Sequence, residues 1–220
     1  MEKFCDFGEI LASIAMPCVV LSGGIGRRMG QYKQDLPFCD STLADFQAKR
    51  LKQIFNNVYF SAKTQIANAY GVPTILDDAI EATESLGSDS ACNSSKPAFV
   101  APIFGLQSTL ESLKCDVFIL SIDAPFFDFI AIKAALEAFR GNAIFAKNSK
   151  IHPLLGIYPF KSLAQIKSQI KAKNYKLTQL LSAINAEFVE IPESKTRNLN
   201  SYADYQQACI DLANLGAMNG

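Results

Sequence analysis

This 220-residue chain has a single histidine, no net charge, no apolar run long enough to cross a bilayer and no two cysteines close together. Each shortage closes off a class of function. With His152 alone, a histidine-built metal cluster is excluded, and a Ser-His or Cys-His nucleophile would rest on one residue. Lysine and arginine total 21 and so do aspartate and glutamate, which removes the broad positive field that non-specific nucleic-acid binding depends on. The apolar run from Ile10 to Leu21 is about half of what a membrane span needs. Met1 to Glu9 carries Glu2, Asp6 and Glu9 against Lys3, the reverse of a secretory leader. The expectation is a cytoplasmic protein with neither nucleic acid nor membrane as partner. Cys5, Cys18, Cys39, Cys92, Cys115 and Cys209 lie scattered, as free thiols do, and match neither a disulfide framework nor a zinc site. Two familiar phosphate motifs are missing too. The dinucleotide fingerprint would need glycine where Met29 stands, and no Gly-Lys-Ser/Thr follows at Walker spacing.

What is there is a different kind of phosphate loop. Val19-Val20-Leu21-Ser22-Gly23-Gly24-Ile25-Gly26-Arg27-Arg28-Met29-Gly30 runs from a β-branched strand into four glycines and two arginines, followed by Lys33 and Leu36-Pro37-Phe38. Residues without a Cβ let the backbone approach a ligand closely, and forked guanidinium donors match phosphate oxygens. Amide N–H groups and positive charge thus arrive together at one strand end, which is how a polyphosphate is held. The competing reading, a plain tight turn, needs neither so many glycines nor the cations.

Apolar residues make up 49% and charged residues 19% of the chain, enough for one good core and too little length for two full domains. Residues 1–16 read as an N-terminal extension, with Phe7, Ile10, Leu11 and Ile14 at helical spacing, and 17–220 as a single domain. Cys18–Leu21 is the first strand. Ser41 caps a helix carrying Leu43, Phe46, Arg50, Leu51, Ile54 and Phe55. Val58–Ser61 is a strand, 64–70 a short helix, and Val72–Leu76 a strand ending in Asp77-Asp78. Strand alternating with helix indicates a parallel sheet covered on both faces. A polar loop at about 81–97 interrupts it, and a helix follows from Pro102 to Leu113. Asp116–Ile122 is the most apolar strand and so central, closed by Asp123-Ala124-Pro125. Helices are expected at 126–139, 162–171, 177–184 and 202–215, the last capped by Ser201, with strands at 143–146, 153–158 and 188–191.

Asp123 stands where the buried strand ends, and ligands of open α/β sheets bind outside the carboxyl ends of strands. A carboxylate there can hold Mg²⁺, whose remaining positions go to phosphate oxygens and water; the plainer alternative is a turn residue before a proline. Asn198 and Asn200 lie two apart, so an extended backbone points both to one side. They could bind a ligand or serve as turn and cap residues. His152-Pro153 is open in the same way, and Asp77 and Asp78 could contact a nucleoside or simply solvate a loop.

In this order the residues resemble the molybdenum cofactor guanylyltransferases, the MobA family, within the wider nucleotidyltransferases. The family opens with Leu-Ala-Gly-Gly-x-x-x-Arg-Met-Gly-x-x-Lys, here Leu21-Ser22-Gly23-Gly24-Ile25-Gly26-Arg27-Arg28-Met29-Gly30-Gln31-Tyr32-Lys33. Leu36-Pro37-Phe38, the Asp-x-Pro at Asp123, the His-Pro at His152 and the Asn-x-Asn at Asn198 and Asn200 extend the likeness over nearly the whole chain from residue 17. Two departures stand out. Ala101-Pro102-Ile103-Phe104-Gly105 replaces Gly-Pro-Leu-Ala-Gly in the segment resembling the base-reading loop, and Tyr32 replaces the acidic residue before the loop lysine, leaving Lys33 without a neighbouring carboxylate. The resemblance implies a three-layer α/β fold of Rossmann type, with a mostly parallel, mixed sheet and helices on both faces. It implies transfer of GMP from GTP to the terminal phosphate of molybdopterin or molybdenum-molybdopterin, with release of pyrophosphate. Catalysis would fall to Arg28, Lys33 and Asp123, with Mg²⁺ or Mn²⁺ on Asp123. Nucleotide binding would involve Leu21, Ser22, Gly23, Gly24, Arg27, Arg28, Lys33, Asp77, Asp78, Pro102, Gly105 and Asp123, and acceptor binding His152, Asn198 and Asn200. Other proteins of molybdenum cofactor biosynthesis would be partners. The alternatives are a related transferase using CTP or a sugar-phosphate acceptor, and a nucleotide-binding protein without catalysis.

Overall fold

The computed structural model describes residues 14–22, 25–26, 31–77 and 101–218. Eleven strands and six α-helices follow one another among these residues. Strand β1 is Cys18–Leu21; β2 (Ile25–Gly26) pairs with β3 (Gln31–Tyr32) and β4 (Pro37–Phe38) with β5 (Ser41–Thr42), both as antiparallel ribbons. Helix α1 is Leu43–Lys52, β6 Val58–Ala62, β7 Thr74–Leu76, α2 Pro102–Leu113, β8 Val117–Ser121 and α3 Phe129–Ala138. Then come β9 (Ile144–Lys147), β10 (Ile151–Tyr158), α4 (Leu163–Lys171), α5 (Leu177–Ala183), β11 (Glu187–Glu190) and α6 (Tyr202–Met218).

Seven strands form the central sheet in the order β11-β9-β10-β8-β1-β6-β7. All its pairings are parallel except those of β10, which runs antiparallel to both β8 and β9. Alternation along β1 divides the core. Cys18 and Val20 face a layer that contains α1, α3 and α6, whereas Val19 and Leu21 face one that contains α2, α4 and α5. This is the expected three-layer arrangement, in which central strands buried on both sides read as continuous apolar runs. The strand β10 departs from regularity at Gly156, beside a register shift against β9. A Cβ added there would lie 2.1 Å from the carbonyl oxygen of Ile144, so only glycine lets the two backbones approach.

Three local expectations need correction. The 64–70 stretch is not helical, because Asn68 takes over the local backbone: its Oδ1 accepts from the N–H of Tyr70 (3.2 Å) and Val72 (2.9 Å), and its amide donates to Ile66 and Val72 carbonyls. The cap of α1 is Thr42, whose Oγ1 accepts from the N–H of Asp45 (3.0 Å); Ser41 instead donates back to the Phe38 carbonyl in the β4–β5 ribbon. Ile14, placed in an N-terminal helix, forms an extended bridge to Phe55; the rest of that helix and the polar loop at 81–97 lie outside the described residues. Ser201 does cap α6, accepting from the N–H of Asp204 (3.1 Å). Cys18, Cys39, Cys115 and Cys209 are free thiols. Among the described residues no helix is long and apolar enough to cross a membrane.

Candidate active site

Because β1, β6, β7 and β8 run parallel, their carboxyl ends open on one edge of the sheet, and each delivers a polar residue there. Beyond β1, the N–H of Ser22 donates to the Ser61 carbonyl (2.8 Å), and its buried hydroxyl donates to Oε1 of Gln34 (2.9 Å). Near the end of β6, the Ser61 hydroxyl donates to Oδ1 of Asp77 at 2.5 Å. Helix α2 closes against these residues from one side. A Cβ on Gly105 would stand 2.9 Å from the Ser61 hydroxyl and 3.2 Å from both Oδ2 of Asp77 and the Leu21 side chain. Pro102 occupies the first turn of α2, where its missing N–H costs nothing. Leu21, Ser22, Asp77 and Gly105, expected at a nucleotide site, therefore lie together at this edge of the sheet, with Pro102 three residues before Gly105 on α2. Gly23, Gly24, Arg27, Arg28 and Asp78 lie outside the described residues.

Lys33 and Asp123, ninety residues apart, meet at this edge: Lys33 Nζ donates to Oδ2 of Asp123 at 2.6 Å, the two side chains being 20% and 14% exposed. The Ser121 hydroxyl donates to the other carboxylate oxygen at 2.5 Å. Sequence alone left Lys33 without an acidic neighbour, since Tyr32 precedes it. The fold supplies the carboxylate from the end of β8, a partner that no local spacing reveals.

The acceptor-side candidates lie on the far side of Asp123. Since β10 is antiparallel to β8, with Leu155 opposite Leu120, its first residues project past the carboxyl end of β8. His152 is buried there, 3.2 Å from Oδ1 of Asn148, and Asn148 donates to Thr196 Oγ1 (2.7 Å). Burial lowers the His152 pKa, the charge of Lys150 adding to the effect and Glu193 opposing it. From the 196–200 segment, the N–H of Leu199 donates to the Asp123 carbonyl (2.8 Å). The extended reading of Asn198 and Asn200 is not right: the N–H of Asn200 donates to the Asn198 carbonyl (3.1 Å), so the chain turns between them. Asn200 is exposed, whereas Oδ1 of Asn198 is buried without a hydrogen-bond partner among the described residues. A cavity of about 180 Å³ opens here, lined by Lys150, Arg197, Asn198 and Asn200 among others. Arg197 is held by Asp211 (2.6 Å) and lies 4.5 Å over the ring of Phe126.

A lysine–aspartate pair at the strand ends, with a polar cavity nearby, offers charges of both signs and hydrogen-bonding groups to a polar ligand. The sequence profile of the MobA-like NTP transferase domain matches residues 18–187. The chain belongs to this family. Among MobA-like relatives, the molybdenum cofactor guanylyltransferase of Campylobacter jejuni subsp. jejuni serotype O:6 is 35% identical over 201 residues, covering 89% of this chain and 96% of that protein. The crystal structure of molybdopterin-guanine dinucleotide biosynthesis protein A from Archaeoglobus fulgidus superposes with a TM-score of 0.69 at 18% identity, covering 90% of this chain and all of that one. The 2-C-methyl-D-erythritol 4-phosphate cytidylyltransferase of Thermus thermophilus shares the fold, with a TM-score of 0.61 at 13% identity over 89% and 98% of the two chains. Residues that sequence reasoning passed over in this MobA-like site are Gln34, Ser61 and Ser121, together with Gln47 and Arg50 of α1. The serines close apolar strands, which is the one signal that could have found them.

Proposed function

We propose that this MobA-like transferase joins GMP from GTP to the terminal phosphate of molybdopterin or molybdenum-molybdopterin and releases pyrophosphate. The observation that carries the reading is the Lys33–Asp123 pair at the sheet edge, with Ser61, Asp77 and Gly105 on one side and on the other a polar cavity lined by Lys150, Arg197, Asn198 and Asn200 together with Glu193 and Asp204. The curated relative at 35% identity bears that activity in its name.

The acceptor phosphate is ionised near neutral pH, so no side-chain nucleophile is required. One of its oxygens forms a bond to the α-phosphorus as the bond from that phosphorus to the bridging oxygen breaks, and pyrophosphate leaves with the electron pair. The work of the protein is alignment and charge neutralisation. An ammonium group has three donors, and Lys33 uses one on Asp123, so the others can reach phosphate oxygens. Arg28 and the glycine-loop amides would carry the β and γ phosphates, while Ser61, Asp77 and Gly105 would bound the nucleoside side of the site. Asn198, with a buried oxygen that lacks a partner among the described residues, His152 and Asn200 would bound the acceptor.

The donor set suits a hard divalent cation. The described residues hold no group of three or more His, Cys, Asp and Glu able to chelate one, yet Mg²⁺ needs only one or two carboxylates beside phosphates and water. Asp123 would hold it, and the same position admits Mn²⁺; when bound, the cation withdraws charge from the phosphates it touches. The site is proposed to work in the cytoplasm, in company with other proteins of molybdenum cofactor synthesis. The test is pyrophosphate release from each of the four ribonucleoside triphosphates with molybdopterin and Mg²⁺. Release with GTP alone is expected; release with CTP and none with GTP overturns the guanylyl assignment, and binding without release overturns the enzymatic one.

A further inference from the structure

Helix α1 lies under the Asp123 segment. Two of its residues one turn apart, Gln47 and Arg50, are buried and face the same way. The Gln47 amide donates to the carbonyl of Ile122 (3.0 Å). Arg50 donates through Nη1 to the Phe127 carbonyl (2.8 Å), through Nη2 to that of Ala124 (3.4 Å) and through Nε to Oε1 of Gln47 (2.6 Å). With the Leu199 N–H on the Asp123 carbonyl (2.8 Å), three consecutive carbonyls, at 122, 123 and 124, are each taken by a donor from elsewhere in the chain. The peptide planes flanking Asp123 have almost no freedom left.

The same helix also governs the other member of the pair. At its N-terminus, the N–H of Leu43 donates to the Leu36 carbonyl (2.8 Å) at the base of the β4–β5 ribbon, and the Leu36 N–H in turn donates to the Lys33 carbonyl (3.2 Å). One turn of α1 thus sets the segment carrying Lys33, and the next two set the segment carrying Asp123. Burying a guanidinium is expensive when an apolar side chain could fill the space, and only a forked donor reaches two carbonyls of one turn at once.

We propose that Gln47 and Arg50 are positioning residues: by clamping the carbonyls around Asp123 they aim its carboxylate at Lys33 and Ser121, and α1 acts as the common jig for both charged groups. The proposal rests on the reading of Lys33 and Asp123 as active-site groups. Loosening the clamp at Gln47 and Arg50 should cost alignment in the chemical step far more than it costs nucleotide binding.

The test uses the full chain and three variants, Arg50→Met, Arg50→Lys and Gln47→Glu, in pyrophosphate release with molybdopterin, Mg²⁺ and a range of GTP concentrations, beside circular dichroism and thermal melts. Gln47→Glu keeps the shape and gives Arg50 an acceptor while removing the donor on Ile122, so its fold is the most secure. Arg50→Met and Gln47→Glu should lose about 100-fold in kcat, the cost of roughly 1 Å of misalignment, with KM for GTP within about threefold of the parent. Arg50→Lys, keeping one donor, should recover part of the loss. Full kcat in folded Gln47→Glu overturns the proposal, as does a loss that appears only as a lower melting midpoint or a raised KM. If the parent chain releases no pyrophosphate, the guanylyl reading falls by itself, and a crystal structure of Gln47→Glu decides the clamp. A carboxylate still on Lys33 and Ser121 then overturns it, and a turned one supports it.

Discussion

The two sides of the Asp123 edge are built differently. On the side proposed for the nucleotide, parallel strands and one helix end bring groups into direct contact, with Ser61 on Asp77 and Gly105 packed against both. On the side proposed for the acceptor, Lys150 just before β10, Glu193, the 196–200 segment and Asp204 line a cavity of about 180 Å³, and the Asn198 side-chain oxygen is buried with no partner among the described residues. A side whose polar groups satisfy one another is preformed for its ligand, whereas one with a buried unpaired acceptor carries a cost that a ligand's donor would remove. Lys33 and Asp123 stand at the seam.

The largest effect should come from breaking the seam. Asp123→Asn and Lys33→Ala should each lower turnover at saturating GTP by about 10²–10³-fold, as loss of a preorganised charge does elsewhere. In the double variant the losses should fall well short of multiplying, because the two groups act as a unit; independent, multiplying losses would show that the pair is not one device. Next comes the acceptor side. Asn198→Ala should raise KM for the acceptor roughly 10- to 100-fold if its side-chain oxygen accepts a hydrogen bond from a donor group of that molecule. The melting midpoint should hold or rise, since a buried unpaired oxygen is removed. An unchanged acceptor KM would erase the distinction between the two sides.

The nucleotide side should answer more mildly and in the opposite sense. Alanine at Gly105 gains about 1 kcal/mol of helix propensity but forces the Ser61 hydroxyl, 2.9 Å away, to move. GTP binding followed by thermal shift should weaken by roughly tenfold, about 1.4 kcal/mol, while the acceptor KM stays put. Smallest of all is the contribution of His152. Its pKa is lowered in the fold, so the unfolded chain takes up the proton first. The stability it contributes is complete above the ordinary value of 6.5 and is lost as the pH falls below that toward the lowered one. The melting midpoint should drop by a few degrees at most, roughly, across that window, and His152→Gln should flatten the drop.

The layers were legible because they rest on local signals. Period-two alternation and apolar runs both act within a few residues. Asp123 could be found for the same reason, as a carboxylate closing the most apolar strand. The hairpin at Pro37–Thr42 was not legible: its turn residues Cys39 and Asp40 both adopt positive φ (48° and 61°), a conformation that Asn-Gly advertises and Cys-Asp does not. The false helix at 64–70 failed because one asparagine side chain outcompeted the helical ladder. The false extension at 198–200 failed because the segment is bent to reach Asp123, a constraint that exists only once the sheet is assembled.

By itself the sequence determined the layer architecture, the strand ends where charge and glycine gather, and the family likeness, all of which depend on neighbours within one element. Only the tertiary structure decided that Lys33 is paired with Asp123, that α1 braces the segments of both, and that Asn198 hides an oxygen unpaired among the described residues. Those facts join residues dozens of positions apart, and the partner of a charge or a carbonyl at such separation is chosen by how the strands are ordered in the sheet, which no local spacing encodes.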